Sequence, residues 1–261
     1  MAEVKVDTWG GGKFNVYEGG KGPVLLLLHS MASSWWSWSR SIPVLEEHFS
    51  VCAPDLLGHG KSQPRRDVVS VEHHAGSLER LCQVLGLTQP FYLAGAALGA
   101  LVAMELALRK PKLMRGLLLL GTPGFPSAQA RSQWLSERVA TFVGPDGLAA
   151  PMDEATVYAR YTHREPDLVE KVNQERAQAG LWALHDLWAI GSYDAAERAR
   201  QLAAPAITCC GEHDPFLPGR PALLKAMPKA EHVLLEGVGH YPAWDAPERV
   251  TELLLKLRPA T

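Results

Sequence analysis

The chain has 261 residues, is 47% hydrophobic and 21% charged, and carries a formal net charge of −2. That length suits one α/β domain with an insertion. So even a charge balance gives no electrostatic basis for a nucleic acid or an acidic membrane surface as partner. The four cysteines, Cys52, Cys82, Cys209 and Cys210, match neither a disulfide framework nor a zinc spacing, and read as reduced, buried thiols. The first twenty residues lack the basic region and long apolar run of a secretory signal. Apolar runs such as Val24–Leu28 are far too short to span a bilayer, so a cytoplasmic location is expected.

In chain order, Val4–Thr8 and Phe14–Glu18 flank Gly10–Gly12 and predict a leading hairpin. Val24–Leu28 is an uninterrupted apolar run, as in a strand covered on both faces. Ser50–Ala53, Phe91–Ala94, Leu117–Leu120, Ala206–Cys209 and His232–Leu235 are similar. Between them, Val71–Leu85 and Leu98–Leu108 place apolar residues at three- and four-residue intervals, the period of an amphipathic helix. Pro247–Leu257 predicts a last helix with Asp245 as its N-cap. Strands alternating with helices predict a parallel sheet covered on both faces. The rhythm breaks over 126–200, which is helical in pattern, contains Trp134, Trp182 and Trp188, and reads as an insertion over the sheet's C-terminal edge. The expected division is a core of 1–125 and 201–261 with a helical segment of 126–200.

Three segments carry chemistry. Leu93–Ala100 (LAGAALGA) follows a strand and opens a helix, and its Gly95 and Gly99 hold the glycine positions of a G-x-S-x-G nucleophile elbow. The middle position, where that motif has serine, is Ala97. Cys210–Pro218 follows the apolar run Ala206–Cys209 and places Asp214 at a strand's C-terminal end; Leu235–His240 does the same for His240. That edge is where open α/β sheets bind ligands, and the order nucleophile, acid, histidine is that of a hydrolase triad.

On these motifs the chain resembles the α/β-hydrolase superfamily, in its cap-bearing branch of esterases, lactonases, carbon–carbon bond hydrolases and epoxide hydrolases. His29–Ser34 resembles the family's His-Gly oxyanion loop, with Ser30 in place of glycine. Asp55–Ser62 matches the family's D-x-x-G-x-G-x-S segment, and Gly121–Pro123 resembles the strand end that precedes the cap. The resemblance implies an eight-stranded, mostly parallel sheet. It also implies catalytic roles for Asp214, His240 and position 97, and an oxyanion hole formed by the backbone N–H groups of Met31 and Leu98.

A methyl group cannot attack a carbonyl, so Ala97 closes the acyl-enzyme route. Either alanine stands in for a nucleophilic serine, leaving a site that binds an ester, lactone or thioester without turnover, or alanine is native. In the second case His240 and Asp214 would serve a lyase, a cyclase, a cofactor-free oxygenase or a ligand-binding pseudo-hydrolase. A carbon–carbon hydrolase of ring-cleavage products is the closest rival among hydrolases. An aspartate nucleophile is disfavoured, since the dehalogenases that use one place asparagine where Met31 stands. The aromatic residues near these motifs predict a mostly apolar or aromatic small-molecule substrate. Ser30, Trp188 and Tyr241 are the candidate contacts; Arg160, His163, Arg164 and His185 either meet a substrate carboxylate or phenolate or, the favoured reading, form solvated helix faces. No metal cluster or dinucleotide fingerprint is evident, no cofactor is implied, and nothing in the sequence sets an oligomeric state.

Overall fold

A computed structural model describes residues 2–64 and 70–259. Eight strands form one sheet: β1 (Ala2–Asp7), β2 (Lys13–Gly20), β3 (Val24–Leu28), β4 (Ser50–Pro54), β5 (Phe91–Ala96), β6 (Met114–Leu120), β7 (Ala206–Gly211) and β8 (Glu231–Leu235), in the spatial order β1-β2-β4-β3-β5-β6-β7-β8. β1 and β2 form the expected antiparallel hairpin, β2 runs antiparallel to β4, and the pairs from β4–β3 to β7–β8 are parallel.

The apolar runs are continuous because both faces of the central strands are covered. Successive side chains alternate between faces. Leu26, Leu28, Leu93, Leu117 and Leu119 therefore enter one core with the helices Val71–Val84 and Leu98–Arg109. Leu25, Leu27, Tyr92, Leu118 and Leu120 enter a second core with Trp38, Phe49 and the helix Pro247–Lys256. Each fully buried leucine contributes about 2 kcal/mol of transfer free energy. β5, every residue of which is buried, lies at the centre between β3 and β6.

Between β6 and β7 the described chain holds no strand. It runs through the helices Ala128–Phe142, Glu154–Tyr158, Leu168–Ala179, Leu181–Ser192 and Ala195–Ala199, with one isolated bridge between Val143 and Ala149. These helices bury Phe142, Ala179, Ala183 and Leu187 against Ala32 and Met31 of the loop after β3. No described helix is long and apolar enough to cross a membrane.

One expected cap is corrected. The N-cap position of Pro247–Lys256 is Ala246, and no side chain caps it. Asp245 instead turns away from that helix. Its Oδ1 accepts hydrogen bonds from the Thr162 and His163 amides (3.0 and 2.9 Å), and its Oδ2 accepts from the Gly239 amide (2.9 Å). Three amides from two other segments outcompete the single local donor that a cap would satisfy.

Candidate active site

Because β3, β5, β6, β7 and β8 are mutually parallel, the segments leaving their C-terminal ends emerge at one edge of the sheet. Those segments contain Ser30 and Met31, Ala97, Pro123, Asp214 and His240.

The turn after β5 is tight. An added Cβ on Gly95 would lie 2.1 Å from the Gly99 carbonyl oxygen, and one on Gly99 would lie 2.3 Å from the Leu28 oxygen, so both positions demand glycine. Ala97 between them has φ 50° and ψ −113°, outside the regions where an L-residue rests. Its amide is tied to the Leu120 carbonyl at 2.9 Å, which holds the turn in that conformation. Leu98 is the first residue of the following helix, so its amide belongs to the set that no carbonyl of the helix can satisfy.

Asp214 and His240 meet beside this turn. The His240 Nδ1 lies 3.1 Å from Asp214 Oδ2, while Asp214 Oδ1 accepts the Phe216 amide at 2.7 Å. Both residues are buried. Two aromatic rings contact the imidazole, with Phe216 at 5.6 Å and Tyr241 at 4.5 Å between centroids, and the His240 amide donates to the Arg160 carbonyl at 2.7 Å. Gly121, at φ +52°, presses on the pair. A Cβ there would stand 2.9 Å from Asp214 Oδ2 and 3.2 Å from His240 Nδ1.

The loop after β3 is fixed from below by His29. Its Nε2 accepts the Leu56 amide at 2.8 Å, which leaves the proton on Nδ1 to be donated to the Ser30 carbonyl at 2.7 Å. Burial, reinforced by the neighbouring His59, lowers the His29 pKa to about 3, so this ring stays neutral and keeps that tautomer. The Asp55–Ser62 segment is a fastening of the same kind. Asp55 accepts from the Trp35 and Lys61 amides (2.8 and 2.9 Å) and from the Asn15 side chain (3.0 Å), and Ser62 Oγ donates to the Asp55 carbonyl at 2.7 Å.

A cleft opens above these residues. Its space, including the mouth, is about 810 Å³, and its floor includes Ser30, Met31, Ala97, His240 and Tyr241. The structure thus brings together position 97, Asp214, His240, Met31, Ser30 and Tyr241. It does not bring Trp188 to them. Trp188 is 57% exposed and lies outside the cleft wall. Its helix, Leu181–Ser192, turns Leu187 and Ile190 to the cleft instead, and Trp188 occupies the solvent side. Arg160 also departs from expectation: it follows the helix Glu154–Tyr158, is half-buried and lines the cleft. Arg138, Tyr161, Glu175 and Arg176 line it too, and the sequence reading passed over all four. A signal existed for Arg176. It shares the buried stripe of its helix with Leu168, Val172 and Ala179, a position where an arginine calls for explanation. Among the described residues no group of three or more His, Cys, Asp or Glu side chains is placed to hold a metal ion.

Comparison with known proteins agrees with this geometry. A family profile described as "alpha/beta hydrolase fold" matches residues 23–247. An uncharacterized protein of Mycobacterium tuberculosis (strain ATCC 25618 / H37Rv) is 28% identical over 93% of this chain and 77% of its own. Lipase 3 of Moraxella sp. (strain TA144) is 27% identical over 94% of this chain and 81% of its own. A thermophilic esterase from Thermogutta terrifontis superposes with a TM-score of 0.77 at 26% identity, covering 98% of this chain and 97% of that one. With a match spanning most of its length and a sheet of the same architecture, the chain belongs to the α/β-hydrolase family.

Proposed function

We propose that this chain carries the site of a serine-type hydrolase acting on an ester, lactone or thioester of a mostly apolar small molecule, with Ala97 standing where the nucleophilic serine belongs. The observation that carries the reading is the buried His240–Asp214 pair, 3.1 Å apart, beside a strained elbow that points position 97 into the cleft. The kinship with a lipase and an esterase supports the ester bond as the target.

In this reading a serine Oγ at position 97 passes its proton to His240 Nε2 as it attacks the carbonyl. Asp214, on Nδ1, fixes the tautomer and stabilises the imidazolium. The oxyanion faces the Met31 and Leu98 amides, the second of which adds the positive end of its helix. The imidazolium then returns its proton to the leaving group, and the same histidine activates water to release the acid. The inserted segment 126–200 acts as the cap that closes the cleft. With alanine at position 97 the first step has no nucleophile, so the chain binds substrate and does not turn it over.

Ala97→Ser tests this. On p-nitrophenyl butyrate the variant is expected to show a burst followed by steady turnover, with a gain in kcat on the order of 10³ or more over the alanine form. His240→Gln in the same background is expected to remove that gain. No gain from Ala97→Ser would sink the serine reading. It would leave a second one, in which His240, which lines the cleft, takes a proton directly from the substrate in a lyase- or cyclase-type reaction.

A further inference from the structure

The cleft wall carries more positive charge than an apolar ester needs. Arg138 comes from the helix Ala128–Phe142, Arg160 from the turn after Glu154–Tyr158, and Arg176 from the helix Leu168–Ala179, and all three line the same cleft as Ala97 and His240. Surface arginines ordinarily find carboxylates. Here no Asp or Glu lies within ion-pair distance of any of the three among the described residues. Arg176 is 6% exposed, and its Nε and Nη2 donate to the Ala150 carbonyl (3.1 and 2.6 Å) while its Cζ lies over the Phe142 ring, 4.2 Å from the centroid. That stacking fixes the guanidinium in place.

Burial lowers the Arg176 pKa to about 10, and Arg160 pushes it in the same direction. Arg138 is lowered for the same two reasons, burial first. Arg160 therefore lies close enough to repel each of the other two. One carboxylate, Glu175, shares the wall: its Oε1 meets Lys171 at 3.2 Å, and its Oε2 is buried without a hydrogen-bond partner, so a single acid faces three guanidiniums. Holding Arg138 and Arg176 beside Arg160 in a half-dry cleft costs stability unless a ligand compensates.

We propose that Arg138, Arg160 and Arg176 form a subsite for a carboxylate carried by the substrate, whose apolar body lies along Trp134, Phe142 and Phe216. The inference rests on the reading of this cleft as the substrate site and narrows it: the substrate is a half-ester or a lactone acid, with one carbonyl at position 97 and a free acid against the cap. A planar carboxylate can take paired N–H donors from guanidinium groups, a geometry that a neutral amide or ester cannot reproduce.

The protein as it stands permits an equilibrium test, since bound ligand is not consumed. Binding of 4-phenylbutyrate and of its neutral isostere 4-phenylbutyramide is followed by tryptophan fluorescence and calorimetry, with the benzoate and phenylacetate pairs extending the range of chain length. In at least one pair the acid is expected to bind about ten-fold or more tighter than the amide. This preference should hold from about pH 6 to about pH 9, because guanidiniums stay charged there whereas an imidazolium would not. Arg160→Gln and Arg138→Gln are each expected to bring acid affinity down toward that of the amide. Neither guanidinium is held by a hydrogen bond within the described protein, so these two variants keep the test valid if Arg176→Gln fails to fold. Arg164→Gln, whose guanidinium stacks on Tyr158, is expected to retain the preference.

Equal affinity for acid and amide in every pair, or a preference that survives Arg138→Gln and Arg160→Gln, overturns the subsite. Its failure is separable from that of the hydrolase reading. An Ala97→Ser variant that cleaves neutral p-nitrophenyl butyrate while the protein ignores carboxylates sinks the subsite alone. Selective carboxylate binding with an inert Ala97→Ser variant sinks the hydrolase alone.

Discussion

An L-alanine at φ 50° and ψ −113° occupies backbone that is costly for any side chain, by about 1–3 kcal/mol. Here the β5 register and the Ala97 amide bond to Leu120 impose it. The cost is measurable against a neighbour. Ala100, fully buried one turn into the helix, should lose about 2 kcal/mol on substitution by glycine, from helix propensity and the lost buried methyl. Ala97→Gly loses a comparable methyl but sheds the strain, so its net change is expected within about 0.5 kcal/mol of zero. Urea unfolding of the two variants decides it, and equal losses would show that the elbow is unstrained. The conformation is a legible one. Two glycines four residues apart between an apolar run and a helical period mark the turn, and the residue between them follows from the motif. Asp214 and His240 were legible for the same reason, each ending a short apolar run. Trp188 was not, because Leu181–Ser192 is apolar around most of its circumference and its period gives no inner face.

At the scale of elements, loops that end strands are held by carboxylates and buried rings more than by their own turns. Asp245 joins the turn at Thr162–His163 to Gly239, next to His240, and the Trp244 Nε1 adds a bond to the His163 carbonyl at 3.0 Å. Its sequence position before Pro247 resembled a cap, since a local pattern does not reveal donors more than eighty residues away. Each charge-assisted bond contributes about 1.5–3 kcal/mol net. Asp245→Ala is therefore expected to cost about 3 kcal/mol or more in urea unfolding, and in the Ala97→Ser background to lower kcat by loosening the His240 loop. A variant of unchanged stability would remove Asp245 from any positioning role. Arg138 and Arg176 escaped notice and Arg160 reads as a solvated face for a related reason: in a sequence, arginines among polar residues look exposed, and only the packing of three segments around one cleft brings them to the same wall.

For the molecule as a whole, the sheet was legible and the fastening of the inserted helices was not. Alternating apolar runs and helical periods specify a doubly covered parallel sheet, because the runs of the central strands are buried on both faces; at the edge, β8 leaves Leu234 exposed. How 126–200 attaches depends on long-range polar contacts. The central one is Asp186, fully buried in Leu181–Ser192, which lies 2.8 Å from His59 Nε2 of the core and 3.1 Å from His74 Nε2 on Val71–Val84. Burial opposes charge on both partners. The two histidines nevertheless hold the Asp186 carboxyl well below the ordinary carboxylate range, and Asp186 more than offsets burial to raise His59 above the ordinary imidazole value. Around them, His29 stays neutral and burial raises the Asp55 carboxyl.

The signs give a pH window. A lowered Asp186 contributes stability that is present above its unfolded value of 3.8 and lost as pH falls through the lower folded one. A raised His59 contributes stability that is present below its unfolded value of 6.5 and lost as pH rises through the higher folded one. Between 3.8 and 6.5 both contribute in full. Asp186→Asn takes the carboxylate from buried His59 and is expected to cost about 3–5 kcal/mol at about pH 5.5. At about pH 9 the deficit should be smaller, because the contribution of a raised His59 falls away as pH climbs above 6.5. Urea unfolding of both proteins at the two pH values measures the gap. A gap that stays constant with pH, or falls below about 1 kcal/mol at pH 5.5, would mean that the inserted helices are held to the sheet by apolar packing and not by this buried pair.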